Sequence, residues 1–474
     1  MMNTTHDIIN ASPIRFGTSG VRGLVTEMTD AVCFAYTLAF LHCIAIQPGT
    51  KVALGMDLRP SSPSIAAACA AAVHFAGLTV DFCGILPTPA LAYYAQERNQ
   101  PAIMVTGSHI PFDRNGIKFY RVDGEISKQD EAAINQAALS MPNQIDIISL
   151  PEVNLAAYQA YIDRYLQFFP AQSLAGLRLG FYEHSSAGRE ILPVIAKALG
   201  AELILIGRTD AFVPIDTEAV SEKAAKQGQQ WAEEYDFDAI LSTDGDADRP
   251  LLGDEQGHWL RGDVVGILCA QYLAAKAVAT PVNSNTALDQ CGQFTVLRTR
   301  IGSPCVIAGM AELLAQGHQP VVGFEANGGF LVASRLQRQA GYLLPLATRD
   351  ALLPMLALLA MAKERGCKVS QLADSLPPRF TASDRVAEVA PETSQAILAS
   401  LLSEDSAIVK LLMSDSGVVS AIDQTDGVRL SFENGDIVHF RASGNAPELR
   451  CYAESVSQER TEALVRKALM ASAG

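Results

Sequence analysis

Apolar strand-like runs alternate with helix-like blocks three times along this chain, and no other feature constrains the fold as much. In the first round Val52–Asp57 is followed by the Ala-rich block Ser64–Ala76, then Thr79–Ile85, Pro89–Glu97 and Ala102–Val105. Such alternation is the pattern of a mainly parallel sheet with crossover helices. It restarts at Leu177–Tyr182, with helical Gly188–Leu199, Ala201–Ile206, helical Glu218–Tyr235 and the strand Asp238–Ser242. A third round runs through Asp263–Ala275, Phe294–Thr299, Cys305–Ala315 and Pro320–Phe324. The tail departs from the pattern: Val418–Ile422, Gly427–Phe432 and Ile437–Arg441 read as short strands with Asp-Gly and Asn-Gly turns, ahead of helical Gln458–Met470. Connectors near Met141–Pro151, Glu255–Gly257 and Leu376–Ala382 predict domains at 1–148, 149–257, 258–377 and 378–474.

A chain of 474 residues is too long for one ordinary core. With 49% hydrophobic and 18% charged residues it has enough apolar side chain to fill several. A formal net charge of −15 argues against nucleic acid and anionic membranes as partners, since both are bound through Lys and Arg. An anionic small substrate must therefore find a locally basic pocket. Nine scattered cysteines without a CxxC pair predict reduced thiols and a cytoplasmic protein. Met1–Ser12 shows no basic segment followed by an apolar run, so no secretory signal is expected. The apolar stretch Ala31–Pro48 contains Thr37, His42 and Gln47 and predicts a buried core helix, not a membrane span.

In open α/β sheets ligands bind beyond the carboxyl ends of the strands, which directs attention to polar loops after apolar runs. The first is Thr106-Gly107-Ser108-His109, followed by Pro111 and Asn115-Gly116-Ile117-Lys118. Glycine admits a phosphate close to the backbone, Ser108 offers a nucleophilic hydroxyl, and Lys118 a cation or proton carrier. Alone, Gly-Ser-His is ordinary turn chemistry. The second loop changes the balance: Asp244-Gly245-Asp246-Ala247-Asp248-Arg249 places three carboxylates at alternate positions, able to converge on one Mg²⁺ with room for a phosphate oxygen. Arg249 would offset repulsion of an anionic substrate. An EF-hand is excluded because Arg249 stands where its sharp turn needs Gly. A covalent aspartyl phosphate remains open.

The third loop, Gly323-Phe324-Glu325-Ala326-Asn327-Gly328-Gly329, offers Glu325 and Asn327 as planar partners for sugar hydroxyls. The fourth, Arg441 to Arg450, brings Arg441, Ser443, Gly444, Asn445 and Arg450 to a possible cradle for a phosphate dianion. Near the N-terminus, Arg15 to Gly23 is a glycine-spaced basic loop in which Arg22 is a candidate for facing the same phosphate as Ser108. His109 is either a general acid or base or a hydrogen-bonded structural residue.

Taken in this order, RFGTSGVRG, TGSHIPFDRNGIKFY, TDGDADRP, GFEANGG and RASGNAPELR resemble the α-D-phosphohexomutase family over essentially the whole chain. The resemblance implies three related mixed-sheet α/β domains and a smaller C-terminal α+β domain, heart-shaped around a central cleft. It implies that Ser108 carries phosphate, that Mg²⁺ is held by Asp244, Asp246, Asp248 and a phosphoserine oxygen, and that hexose 6-phosphate and hexose 1-phosphate interconvert through a hexose 1,6-bisphosphate. Lys118 and His109 are then the proton movers, Arg22 and Arg249 steady the transferring group, Glu325 and Asn327 read the sugar, and Arg441, Ser443, Gly444, Asn445 and Arg450 hold the distal phosphate. Mannose phosphates are the expected substrates, with glucose and glucosamine phosphates as alternatives, and the enzyme is expected to be a monomer or weak dimer. From other classes, a Mg²⁺-dependent sugar-phosphate phosphatase and a non-catalytic sugar-phosphate-binding protein stay open. Ile110 stands where the family usually has Asn, the common Glu-x-Ser-Gly-His becomes Glu325-Ala-Asn327-Gly-Gly329, and the frequent Ser-Gly-Thr-x-Pro becomes Ser443-Gly444-Asn445-Ala446-Pro447.

Overall fold

A computed structural model describes residues 4–17, 19–47, 49–338, 341–403, 405–443 and 448–472. In the first α/β unit the strands Lys51–Met56, Thr79–Ile85 and Ala102–Val105 run parallel. The helix Asp30–Cys43, capped by the Thr29 side chain on the Val32 amide, is buried from Val32 to Leu41. A helix apolar on every face is stable only inside a core, and this one packs against the Ala-rich helix Ser62–Phe75. The second unit joins Ala239–Thr243, Arg178–Tyr182 and Glu202–Ile206 in parallel, and the third joins Val321–Phe324, Ala277–Pro281 and Thr295–Thr299.

The alternation predicts mainly parallel sheets, whereas each α/β sheet is mixed. In every unit the chain leaves a parallel strand, makes a loop and returns antiparallel beside it. Val105 is paired with Ile117, Thr243 with Pro250, and Phe324 with Phe330. The segment read from the sequence as a loop, Asn115 to Lys118, lies inside the returning strand Arg114–Arg121. Its apolar alternation is broken because polar Asn115 and Lys118 are buried at the site, so the period-two signal fails there. The strand Ala277–Pro281 and the helix Leu352–Arg365 are likewise absent from the alternation read in the sequence. Both lie in the interior, and continuous burial erases amphipathic periodicity.

The tail forms a five-stranded antiparallel sheet, in the order Phe380–Ala387, Glu448–Ser455, Ile437–Ala442, Val428–Phe432, Val419–Asp423. The helix Gln458–Ser472 packs on it. The three α/β units have apolar clusters of their own and also share one. One apolar cluster joins Tyr94 of the first, Tyr165 and Leu241 of the second and Leu356 of the third, which fixes their mutual placement. Among the described residues no helix is long and apolar enough to cross a membrane.

Candidate active site

The hairpin loops of the first two units meet, the first through Ser108 and the second through Asp244. Ser108 is fully buried, with a left-handed φ of 53° that is uncommon for a residue with a Cβ. Two side chains just beyond the neighbouring strand Lys51–Met56 hold the loop. Asp57 accepts from the hydroxyls of Ser62 at 2.6 Å and Thr106 at 2.8 Å, and from the Gly107 amide at 3.3 Å. Arg59 donates to the backbone carbonyls of Pro111 at 2.6 Å, Arg114 at 2.8 Å, Ser108 at 2.9 Å and Ile110 at 2.6 Å. Its guanidinium also lies 3.9 Å over the Phe212 ring from the second unit. Gly107 has no room for a side chain, since a Cβ would come within 2.5 Å of Arg59 Cζ.

The Ser108 hydroxyl donates to Asp244 Oδ2 at 2.6 Å. Asp244, Asp246 and Asp248 are fully buried and bring carboxylate oxygens within 4.8 Å of one another. Lys118 Nζ donates to Asp246 Oδ2 at 2.6 Å and Asp248 Oδ2 at 2.7 Å, and Thr88 donates to Asp246 Oδ2 at 2.6 Å. Arg249 stands 3.8 Å from Asp244 and 3.6 Å from Asp248. Asp246 Oδ1 and Asp248 Oδ1 are buried without a hydrogen-bond partner. Two orphaned carboxylate oxygens beside a third carboxylate fit a hard divalent cation, which takes oxygen ligands and tolerates a phosphate oxygen in its shell.

The electrostatics of these residues divide sharply. Burial and the neighbouring Asp246 and Asp248 carboxylates push Asp244 well above the usual carboxylate range. Burial acts the same way on Asp248, but Arg349, Lys118 and Arg249 overcome it and hold it far below that range. Burial opposes the charge on Lys118, yet Asp246 and Asp248 raise it above the ordinary lysine value. Burial and then Arg249, Arg22 and Arg450 keep the His109 imidazole well below its ordinary value, so it is neutral at pH 7. Its Nδ1 lies 3.4 Å from Ser108 Oγ. Arg22 is lowered to about 10, by burial first and then by Arg249 and Arg349.

Beside this centre opens a cleft of about 630 Å³ whose lining includes Arg22, His109, Glu218, Ser443 and Arg450. Arg450 lies 4.0 Å from Glu218 and 3.4 Å from Glu448. Arg441 is instead tied to Asp426 at 3.0 Å and does not line the cleft. Gly444 and Asn445 lie outside the described residues. Glu325 and Asn327 are buried and also absent from the lining. Glu325 accepts from Arg349 at 2.9 Å, while Asn327 Oδ1 accepts from the Gly329 amide at 2.9 Å and its carbonyl from Thr217 at 2.9 Å. Sequence reasoning missed Asp57, Arg59, Thr88, Glu218 and Arg349. Arg59 and Arg349 follow or end apolar strands, so the strand-end rule that found Ser108 points to them as well.

The hairpins of the repeated α/β units thus bring a buried serine, three carboxylates and a lysine together beside the cleft. The chain belongs to the phosphoglucomutase/phosphomannomutase family: residues 13–144, 157–257 and 261–380 match its alpha/beta/alpha domains I, II and III, and residues 382–469 its C-terminal domain. It is 47% identical over 458 residues to a phosphomannomutase of Salmonella muenchen, covering 96% of this chain and 95% of that protein. A phosphomannomutase of Sinorhizobium fredii is 44% identical over 464 residues, covering 96% of this chain and 98% of the other. The crystal structure of a phosphoglucomutase/phosphomannomutase family protein from Burkholderia thailandensis has the same fold at a TM-score of 0.72. It is 18% identical and covers 100% of this chain and 98% of that one.

Proposed function

We infer that the protein interconverts hexose 6-phosphate and hexose 1-phosphate, with mannose phosphates as its substrates, by passing a phosphoryl group on and off Ser108. The observation that carries this reading is the Ser108 hydroxyl, 2.6 Å from Asp244 within a buried carboxylate triad. In the forward half-reaction a free hexose hydroxyl attacks the phosphorus of phosphoserine, the bond to Ser108 Oγ breaks as the new P–O bond forms, and the hydroxyl proton passes to the departing Ser108 Oγ. The resulting hexose 1,6-bisphosphate reorients in the cleft, and Ser108 Oγ then attacks its other phosphate. Neutral His109, with Nδ1 3.4 Å from Ser108 Oγ, accepts the serine proton in that return step, and the proton ends on the sugar oxygen released from phosphorus. Lys118, held charged by Asp246 and Asp248, acts as a donor and fixed cation. Arg22 and Arg249 offset the charge of the transferring group. Asp244, Asp246, Asp248 and Ser108 would hold Mg²⁺, which supplies charge neutralisation to the phosphoryl oxygens when bound.

Ser443 and Arg450, both on the cleft wall, would grip the phosphate that is not reacting, together with Gly444 and Asn445. Glu325 and Asn327 would read the sugar hydroxyls. A net charge of −15 argues against nucleic acid, the cleft arginines Arg22 and Arg450 supply local positive charge for a phosphosugar, nine cysteines without a CxxC pair fit a cytoplasmic setting, and a monomer or weak dimer is proposed. The test is mass spectrometry of the purified protein together with kcat/KM for mannose, glucose and glucosamine 1-phosphates, using Mg²⁺ and a trace of hexose bisphosphate. Phosphate on Ser108 and preference for mannose 1-phosphate are expected. A labile phosphate on Asp244 with none on Ser108, or full turnover by Ser108→Ala, would sink the reading in favour of a phosphatase or of an uninvolved serine.

A further inference from the structure

Three consecutive residues at the end of the strand Leu346–Asp350 reach into different parts of the molecule. Thr348 donates to Glu125 at 2.8 Å, and Asp350 accepts from Tyr161 at 2.8 Å and from Tyr165. Between them Arg349 is 1% exposed. Its Nε and one terminal nitrogen donate to Asp248 Oδ2 at 3.1 and 2.7 Å, and the other terminal nitrogen donates to Glu325 Oε2 at 2.9 Å. One planar guanidinium thus joins the 244–248 loop to the 325–329 loop. Lysine, a single point of charge, cannot reproduce that fork.

The residue at 329 has a matching peculiarity. Gly329 is not in the left-handed region, so its backbone does not call for glycine. Space does: a Cβ would come within 2.5 Å of Arg349 Cδ, 2.8 Å of Cγ and 3.0 Å of Cβ. A free arginine would swing aside, but this one is pinned by three charge-assisted bonds. The relation repeats the one in the first unit, where Gly107 makes room for Arg59.

We propose that Arg349 is a positioning residue that fixes Glu325 against Asp248, and that residue 329 is glycine in order to admit it. The inference rests on the mutase reading, in which Glu325 meets the sugar. Arg349 takes Oε2 and leaves Oε1, for which no hydrogen bond is recorded among the described residues, to face a hydroxyl. Loss of this pose therefore changes which hexose is preferred before it changes whether Ser108 can carry phosphate.

The test compares wild type, Gly329→Ala, Arg349→Lys and the double variant Gly329→Ala/Arg349→Lys. kcat and KM are measured separately for mannose 1-phosphate and glucose 1-phosphate, Ser108 phosphate by mass spectrometry, and folding by circular dichroism. Gly329→Ala keeps every charge and is expected to lower the mannose-to-glucose ratio of kcat/KM at least tenfold, mainly through KM, with Ser108 still phosphorylated. Arg349→Lys is expected to shift the ratio the same way, and the double variant to match the larger single effect because both changes undo one pose. Folded Gly329→Ala with a wild-type ratio overturns the proposal, as do single effects that multiply in the double variant. A wild-type protein without turnover and without phosphate on Ser108 overturns the mutase reading and the inference with it, a result distinguishable from the other two.

Discussion

Replacing Arg59 with lysine isolates the contribution of serine-loop placement, because the charge is kept and only the fork is lost. Arg59 donates to four loop carbonyls between 2.6 and 2.9 Å and sits 3.3 Å from Asp57. An ammonium has three donors at one point, and pairing one with Asp57 leaves two for those carbonyls. At least two carbonyls of this partly buried loop then lose a hydrogen bond to a charged donor, at up to about 1.5–3 kcal/mol each. The local cost is therefore up to about 3–6 kcal/mol, with a further ~0.5–2 kcal/mol for contact with Phe212. A displacement of about 1 Å at the nucleophile lowers turnover by roughly 100-fold. Amide exchange of a peptide covering residues 108–116 should accelerate in Arg59→Lys, and kcat for mannose 1-phosphate should fall by about that factor. Wild-type exchange together with kcat within threefold of wild type would refute the argument that this guanidinium holds the loop.

Removal of divalent cations with EDTA should abolish turnover, and Mg²⁺ should restore it. If the triad binds the ion, Mg²⁺ at about 100 times its dissociation constant should also stabilise the fold by about 3 kcal/mol in chemical unfolding, and no such change would count against the triad as the site. Arg450→Gln should raise KM for hexose monophosphates at least tenfold while leaving phosphate on Ser108, because it removes a cleft-lining charge that, among the described residues, makes no hydrogen bond to Ser108; an unchanged KM would exclude Arg450 from phosphate binding. Burial, aided by Arg429 and opposed by the bond to the Asp426 carbonyl, holds His439 down to about 4 from 6.5. The unfolded chain therefore takes up a proton before the folded one. The contribution is fully present above pH 6.5 and is lost as pH falls toward 4, by about 3 kcal/mol at most. His439→Gln should flatten that slope in urea unfolding between pH 7.5 and 4.5, and an unaltered slope would exclude His439 as its source. Leu356→Ala, in the core shared by the three α/β units, should cost about 2–5 kcal/mol and broaden unfolding across all of them; confinement to one unit would show that the core does not couple them.

The sequence by itself determined the elements whose signals are local. Thr79–Ile85 and Ala102–Val105 emerge with the same limits in sequence and structure, because apolar runs bounded by turn residues need no distant partner to be recognised. The same locality made the Ser108 and Asp244–Asp248 loops legible, since glycine and alternating carboxylates are unusual within a few residues of a strand end. Only the tertiary structure decided what those loops touch. Lys118 reads as loop chemistry until the returning strand carries it to Asp246 and Asp248, 128 and 130 residues away. Glu325, read as facing a sugar, is turned onto Arg349, and Gly329 takes on meaning only beside that arginine. Arg59 and Arg349 look like solvated charges in a string of letters. They become fixed cations because burial removes water and leaves loop carbonyls and carboxylates as their remaining partners, and no local pattern encodes which partners the fold brings within reach.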